Sequence, residues 1–102
     1  MVKKRRKLDK ELRMGNISVR YSDSILNHIY KHNVRIREVG EVIKNRPLIK
    51  RIGGKNWMVI GQTDSGRYLT IYLFQIGRKV FRLKTARDST DSEKRFYRKH
   101  RR

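Results

Sequence analysis

Three glycine-containing turns divide the stretch from Leu48 to Ala86 into short β segments. The turns are Gly53-Gly54, Asp64-Ser65-Gly66 and Gly77-Arg78. The segments are Leu48 to Ile52, Asn56 to Gln62, Arg67 to Ile76 and Lys79 to Ala86. Their β-branched and aromatic residues favour strands, and turns this short join antiparallel neighbours. This half of the chain is therefore predicted to form an antiparallel sheet.

The first half of the chain favours helices after one short strand. Alternation of apolar and polar residues predicts a strand over Ile17 to Tyr21. A serine cap then precedes a helix predicted from Asp23 to about His32. Asn33 tolerates a positive φ and is expected to end this helix. A second helix is predicted from Ile36 to Asn45, and Pro47 prevents its continuation.

The last helix begins at a capping signal. Thr90 and Glu93 have the spacing of a capping box, which predicts a helix from near Thr90 to about Lys99. The predicted fold class is α+β: an antiparallel β-sheet with helices packed on it, in the order β-α-α-β-β-β-α. Residues 1–13 are predicted to be a basic N-terminal arm, either disordered or helical from Leu8 to Arg13. Residues 14–102 are predicted to be a single domain with a basic C-terminal end.

The charge of the chain indicates its class of partner. The sequence has 28 Lys and Arg against 9 Asp and Glu, a net charge of +19. Residues 14–92 hold 15 basic and 6 acidic residues, so this body alone carries +9. Self-repulsion on this scale indicates a polyanionic partner, and nucleic acid is the usual one.

Other classes of protein and site are disfavoured. The longest apolar run, Tyr68 to Phe74, is far shorter than the roughly 20 residues that span a membrane. The apolar face of a membrane-surface helix is also missing, so no membrane partner is expected. The chain has no cysteine, which is compatible with the cytoplasm. No glycine-rich phosphate loop or nucleophile elbow is present. His28 and His32 have the spacing of two metal ligands but lack a third, so no metal or other cofactor is expected.

Five segments in the second part of the chain form an ordered series. They are Lys31-His32-Asn33-Val34, Ile36 to Ile43, Trp57 to Arg67, Phe81 to Arg87, and Glu93 to Tyr97. In this order they resemble the BrnT family of ribonuclease toxins, within the broader RelE-like superfamily. The resemblance covers residues 31–98. Asn33 stands where the family has glycine, Lys84 where it has an apolar residue, and the N-terminal arm is outside the family pattern.

The resemblance implies a metal-independent endoribonuclease of a type II toxin–antitoxin system, an mRNA interferase that uses the RNA 2′-hydroxyl as nucleophile. It also implies a cognate antitoxin, whose toxin-binding segment is expected to be acidic because the toxin is so basic. A homodimer is left open. The alternative is a non-catalytic basic RNA- or DNA-binding protein on the same fold, which the scarcity of acid–base residues favours. A ribosome-associated basic protein is a third hypothesis.

Cleavage of this kind needs a base, an acid and cations for the developing phosphorane charge. The catalytic candidates are Arg82, Lys84, Arg87, His32, Tyr97 and Glu93. A guanidinium can bind two phosphate oxygens, which makes the arginines the phosphate ligands. Strand alternation predicts Phe81, Leu83 and Thr85 on the face under the helices, and Arg82, Lys84 and Ala86 on the open face.

The acid–base candidates each have a structural alternative. Lys84 is the first candidate for the base, because cationic neighbours favour its neutral form. His32 could act as the base or pack at the edge of the core. Tyr97 could be the acid one helical turn after Glu93, or it could pack on the sheet while Glu93 caps the helix.

Five further residues are candidates for RNA binding. They are Lys31, Lys55, Trp57, Arg67 and Tyr72. Trp57 and Tyr72 could stack on unpaired bases or pack in the core. Lys55 and Arg67 lie near predicted strand ends, where they could follow the RNA backbone or form an ordinary solvated rim.

Overall fold

The structure is a computed structural model that describes residues 10–100. Its strands are β1 (Lys10–Met14), β2 (Ile17–Tyr21), β3 (Leu48–Gly53), β4 (Asn56–Gln62), β5 (Tyr68–Gly77) and β6 (Val80–Asp88). Its helices are α1 (Asp23–Tyr30), α2 (Ile36–Lys44) and α3 (Asp91–His100). The predicted α+β class and order of elements are confirmed. Each of the four β segments after α2 forms a strand, one more than the predicted order contains, and β1 adds another.

The six strands form one sheet in the order β1-β2-β6-β5-β4-β3. All neighbouring pairs are antiparallel except β2 and β6, which pair in parallel from Ser18↔Val80 to Arg20↔Arg82. The sheet is therefore mixed, although an antiparallel sheet was predicted. The parallel pair arises because the β1–β2 hairpin joins the edge of the β3–β6 meander. Strand β2 lies beside β6 there and runs in the same direction.

Strand β1 replaces part of the predicted basic arm. Leu12 and Met14 alternate with exposed residues and pack against the core, which suits a strand and not the helix considered for Leu8 to Arg13. Gly15 turns the chain into β2 with a φ of 63°, which glycine adopts without a steric penalty. Residues 1–9 of the arm, and residues 101–102 of the basic C-terminal end, lie outside the described residues.

Local signals set the ends of the helices as predicted. The Ser22 Oγ accepts a hydrogen bond of 3.2 Å from the Ile25 N–H at the start of α1. Asn33 has a φ of 62° in the turn that follows this helix. At α3, the Thr90 N–H donates to Glu93 and the Glu93 N–H donates to the Thr90 Oγ1, so the predicted capping box is formed.

The core lies between one face of the sheet and helices α1 and α2. Its buried members include Ile29 of α1, Val39 of α2, Val59 of β4, Ile71 of β5 and Leu83 of β6. Helix α3 packs on the opposite face of the sheet. Among residues 10–100, no helix has the length and apolar character needed to cross a membrane.

Candidate nucleic-acid interface

The alternation of β5 separates core residues from a set of aromatic residues. Leu69, Ile71 and Leu73 belong to the core cluster under α1 and α2. Tyr72 and Phe74 alternate with them and therefore lie on the opposite face, where each ring is half-buried. This second face is covered in part by α3 and is open over the β5–β6 pair.

A β-bulge in β6 brings three cations to the open face. The register passes from Tyr72↔Thr85 to Leu73↔Leu83, so Lys84 is the extra residue. Alternation predicted Ala86 on the open face, and this was wrong, because both Leu83 and Ala86 are buried in the core. The bulge shifts the alternation by one residue.

The same shift places Arg87 with the other two cations. The Arg87 Cζ lies 5.6 Å from the centre of the Tyr72 ring, on the face that also holds Phe74. In a strand without the bulge, Arg82 and Arg87 would point to opposite faces, because five positions separate them.

Arg82 and Lys84 converge on one ring. The Arg82 Cζ lies 5.0 Å from the centre of the Phe74 ring, and the Lys84 Nζ lies 5.9 Å from it. These are cation–π distances. Neither cation has an acidic partner within 4 Å in the part of the chain that the structure describes. Two like charges thus share one ring without a neutralising carboxylate.

Further cations and rings extend this arrangement. Arg20 pairs in register with Arg82 across the parallel β2–β6 boundary. On α3, Lys94 and Arg98 lie 5.7 and 5.9 Å from the centre of the Tyr68 ring. We call the uncovered part of this surface the basic–aromatic face. It consists of Arg20, Tyr72, Phe74, Arg82, Lys84 and Arg87.

Arg87 and Glu93 form a bidentate ion pair beside this face. Both Arg87 terminal nitrogens lie 2.9 Å from a Glu93 carboxylate oxygen, and one of them also donates to the Tyr72 hydroxyl at 3.2 Å. The hydrogen bonds from Arg87 lower the pKa of Glu93 to about 2, and the Thr90 N–H and Thr70 hydroxyl add to this effect. Glu93 in turn raises the pKa of Arg87. Glu93 is therefore an ionised anchor at neutral pH and a poor proton donor.

Tyr97 lies one turn after Glu93, as predicted, but inside the protein. Its side chain is 2% exposed, and its ring packs edge-on against Tyr68 with 5.7 Å between the ring centres. Burial keeps this phenol away from a substrate lying on the surface of the sheet. Packing on the sheet is thus the role that its position supports.

Arg67 joins three parts of the fold instead of lining an open edge. It donates to both Glu38 carboxylate oxygens at 3.1 and 3.2 Å, to Asp88 at 2.8 Å and to the Asn33 carbonyl at 2.7 Å. The hydrogen bond to Asp88 is the main cause of its raised pKa. With its donors occupied and its side chain 23% exposed, Arg67 is built into the structure.

Trp57 and Lys55 lie away from the basic–aromatic face. Trp57 packs against the core from the face that carries α1 and α2, and its ring meets Phe81 edge-on. Its Nε1 donates to Gln75 at 3.1 Å, which fixes the ring. Lys55 is exposed at the turn between β3 and β4. A base that stacks on Trp57 could not also contact Arg82.

His32 and Lys31 are exposed after the end of α1. The His32 ring contacts the His28 ring edge-on, with 5.3 Å between centres, and does not pack at the edge of the core. The His28 Nε2 lies 3.0 Å from the Thr85 hydroxyl, next to Lys84 in the chain. Within residues 10–100, no group of three His, Cys, Asp or Glu side chains could hold a metal ion.

Two members of the basic–aromatic face were missed by sequence reasoning. Phe74 has the same period-two position as Tyr72 on β5, and this spacing alone could have identified it. Arg20 could be identified only from the β2–β6 pairing, which joins residues 62 positions apart.

The site as a whole is suited to binding a polyanion. Cations with no carboxylate partner can bind phosphates, and half-buried rings between them can stack on bases. No family model, curated protein or solved structure matches this chain.

Proposed function

We propose that this protein binds single-stranded RNA through the basic–aromatic face. The observation that supports this most directly is the convergence of Arg82 and Lys84 on Phe74, with no neutralising acid in the described part of the chain. Two cations within 6 Å of the same ring centre repel each other, and a phosphate bound by both reduces the repulsion. An unpaired base can then stack on the aromatic ring, which a base inside a duplex cannot do.

The test is a salt titration with matched double variants. Binding of an RNA of about 12 nucleotides is followed by fluorescence anisotropy from about 50 to about 500 mM salt. With about six phosphate contacts, log affinity should fall against log salt with a slope near −4. Replacing Arg82 and Lys84 by alanine should weaken binding and make the slope shallower by about 1.4, because each contact contributes about 0.7.

The control removes the same charge from α2. Arg37 and Lys44 are exposed there, and alanine at both positions should leave the slope close to that of the unchanged protein. A flat salt response, or equal losses in the two double variants, would contradict the proposed site. A duplex bound as tightly as the single strand would contradict the stacking role of Phe74.

A second candidate function is metal-independent cleavage of the bound RNA, as a cytoplasmic toxin with a cognate antitoxin. Lys84 favours it, because this exposed lysine lies beside Arg82 in the segment that resembles the BrnT motif. On this hypothesis, Arg82 would stabilise the phosphorane, and Lys84 would remove the proton of the 2′-hydroxyl. The antitoxin would present an acidic segment to this basic protein.

Cleavage is tested on a long RNA in the presence of EDTA. The expected products carry a 2′,3′-cyclic phosphate, because the 2′-hydroxyl is the nucleophile. Binding without cleavage, both for the free protein and on ribosomes, would leave the non-catalytic RNA-binding function and exclude the toxin. Cleavage that EDTA abolishes would contradict a metal-independent reaction.

A further inference from the structure

An apolar groove crosses the face of the sheet that carries α1 and α2. Its lining includes Ile17 of β2, Phe81 of β6, Leu73 of β5, Trp57 of β4, Ile49 of β3 and Ile43 of α2. Every lining residue is apolar, and the groove encloses a cavity of about 80 Å³. This is about half of an engineered cavity that holds benzene, so it has room for one small aliphatic side chain.

The groove is long enough to hold a short helix. It runs from β2 to β3, which are separated by three strands in the sheet. Four strand spacings of about 4.8 Å give a length of about 19 Å. A helix of about 13 residues covers that length. Helix α2 borders the groove with Ile43 only, and Ile49 remains 52% exposed at its far end.

Within the described residues, cations without carboxylate partners lie at the end of the sheet that holds the β3–β4 and β5–β6 turns, along one side of the groove. Arg51 is exposed and pairs in register with Trp57, so both lie on the same face of the sheet. Lys55 and Lys79 are exposed in the two turns at this end, before β4 and before β6. Within the described residues, none of these three has an ion pair. Their charge disfavours a second copy of this basic chain as the occupant.

We propose that this groove binds an acidic amphipathic helix of a partner protein. The apolar stripe of such a helix would cover the lining residues and place one aliphatic side chain in the cavity. Its carboxylates would lie toward Arg51, Lys55 and Lys79. The groove and the basic–aromatic face lie on opposite faces of the sheet, so this proposal does not depend on RNA binding. A partner helix seated here leaves Arg82 and Lys84 open.

Trp57 provides a built-in probe, because it is the single tryptophan of the chain and lines the groove. The ligand is a synthetic peptide of about 16 residues, with leucines in one helical stripe and glutamates on the other side. Saturable binding with a blue shift of the Trp57 emission is expected. A scrambled peptide of the same composition has no apolar stripe and should bind at least about tenfold more weakly.

Two exposed isoleucines give matched variants. Ile49→Glu introduces a charge in the groove lining, and Ile76→Glu introduces the same charge at a 42% exposed position outside the lining. The first variant should weaken peptide binding by about tenfold or more, and the second by about twofold or less. Far-ultraviolet circular dichroism checks that both variants fold.

Three outcomes would overturn the proposal. The first is equal binding of the designed and scrambled peptides, since charge alone would then explain the affinity. The second is an equal loss in the two glutamate variants. The third is a shift of the Trp57 emission that an RNA oligonucleotide causes and the peptide does not, and that is lost in Ile49→Glu. If the peptide binds as expected and the RNA titration shows no salt-dependent binding, the proposal for the groove is supported and only the RNA-binding proposal is contradicted.

Discussion

Arg87 binds both carboxylate oxygens of Glu93, with two N–O distances of 2.9 Å, and so joins the end of β6 to the first turn of α3. Glu93 also accepts hydrogen bonds from the Thr90 N–H and the Thr70 hydroxyl. One carboxylate therefore caps α3 and attaches this helix to the sheet. The attachment depends on the charge of Glu93, which makes it sensitive to acid.

The stability of the protein should depend on the ionisation of Glu93. Its pKa in the folded protein is about 2, below the ordinary value of 4.5. The stabilisation is thus complete above about pH 5 and is lost as the pH falls toward 2. At pH 7, Glu93→Gln should lower the free energy of unfolding by about 2 to 3 kcal/mol in urea denaturation. Near pH 2 the difference between the two proteins should almost vanish.

The control for this prediction is Asp91→Asn, which neutralises another acid in the first turn of α3. Asp91 is exposed and has no ion pair within residues 10–100. Its variant should differ from the unchanged protein by less than about 1 kcal/mol at every pH. A Glu93→Gln deficit that stays constant from pH 7 to pH 2.5 would show that the ion pair with Arg87 is not its source.

Phe74 should contribute to RNA affinity through stacking. Phe74→Leu keeps an apolar side chain and removes the aromatic ring, so affinity for single-stranded RNA should fall about tenfold. The salt dependence should stay unchanged, because no cation is lost. Anisotropy titrations at several salt concentrations measure both quantities. Phe81→Leu is the control, since Phe81 lies on the other face of the sheet, and an equal loss there would contradict the assignment.

Arg82 separates cleavage from binding. If the protein is a ribonuclease, Arg82→Ala should reduce the cleavage rate by about 100-fold or more, as removal of one oxyanion donor does. RNA affinity should fall only several-fold, because one partly exposed contact among many contributes about 1 kcal/mol. Single-turnover cleavage and anisotropy measure the two effects. Equal cleavage by the variant and the unchanged protein would place the reaction elsewhere.

Lys84→Arg tests whether a base acts at the bulge. The substitution keeps the positive charge but replaces the amine with a guanidinium that stays protonated at any working pH. Cleavage should therefore drop by about 100-fold while RNA affinity holds. Cleavage that survives this change but is lost in Lys84→Ala would indicate that the charge of Lys84 matters and that another group is the base.

Arg67 should be needed for stability and not for RNA binding. Arg67→Met leaves Glu38, Asp88 and the Asn33 carbonyl without their shared donor, and should cost about 2 kcal/mol in urea denaturation. The control is Arg37→Met, which removes the ion pair between Glu41 and the 76% exposed Arg37 side chain and should cost less than about 0.5 kcal/mol. A shallower RNA salt slope in Arg67→Met, together with an unchanged free energy of unfolding, would reverse the interpretation.

Much of the local structure could be predicted because its causes lie within a few residues. The Ser22 cap, the left-handed Asn33 and the Thr90–Glu93 capping box each act over at most three positions. The turns before β4 and β6 were found for the same reason. Strand β1 was missed although Leu12 and Met14 alternate correctly, because the basic composition of residues 1–13 favoured a solvated arm.

The sequence by itself determined the α+β class, the capped helices, and a positive charge large enough to indicate a polyanionic partner. Only the tertiary structure decided which cations remain without carboxylate partners. Arg67 and Arg87 are bound by acids up to 29 residues away, whereas Arg82 and Lys84 contact the Phe74 ring and no carboxylate among residues 10–100. The bulge at Lys84 arises from the pairing of β6 with β5 and turns Arg87 to the face of Arg82. Composition and alternation could not specify these contacts, because they depend on which distant residues pair across the sheet.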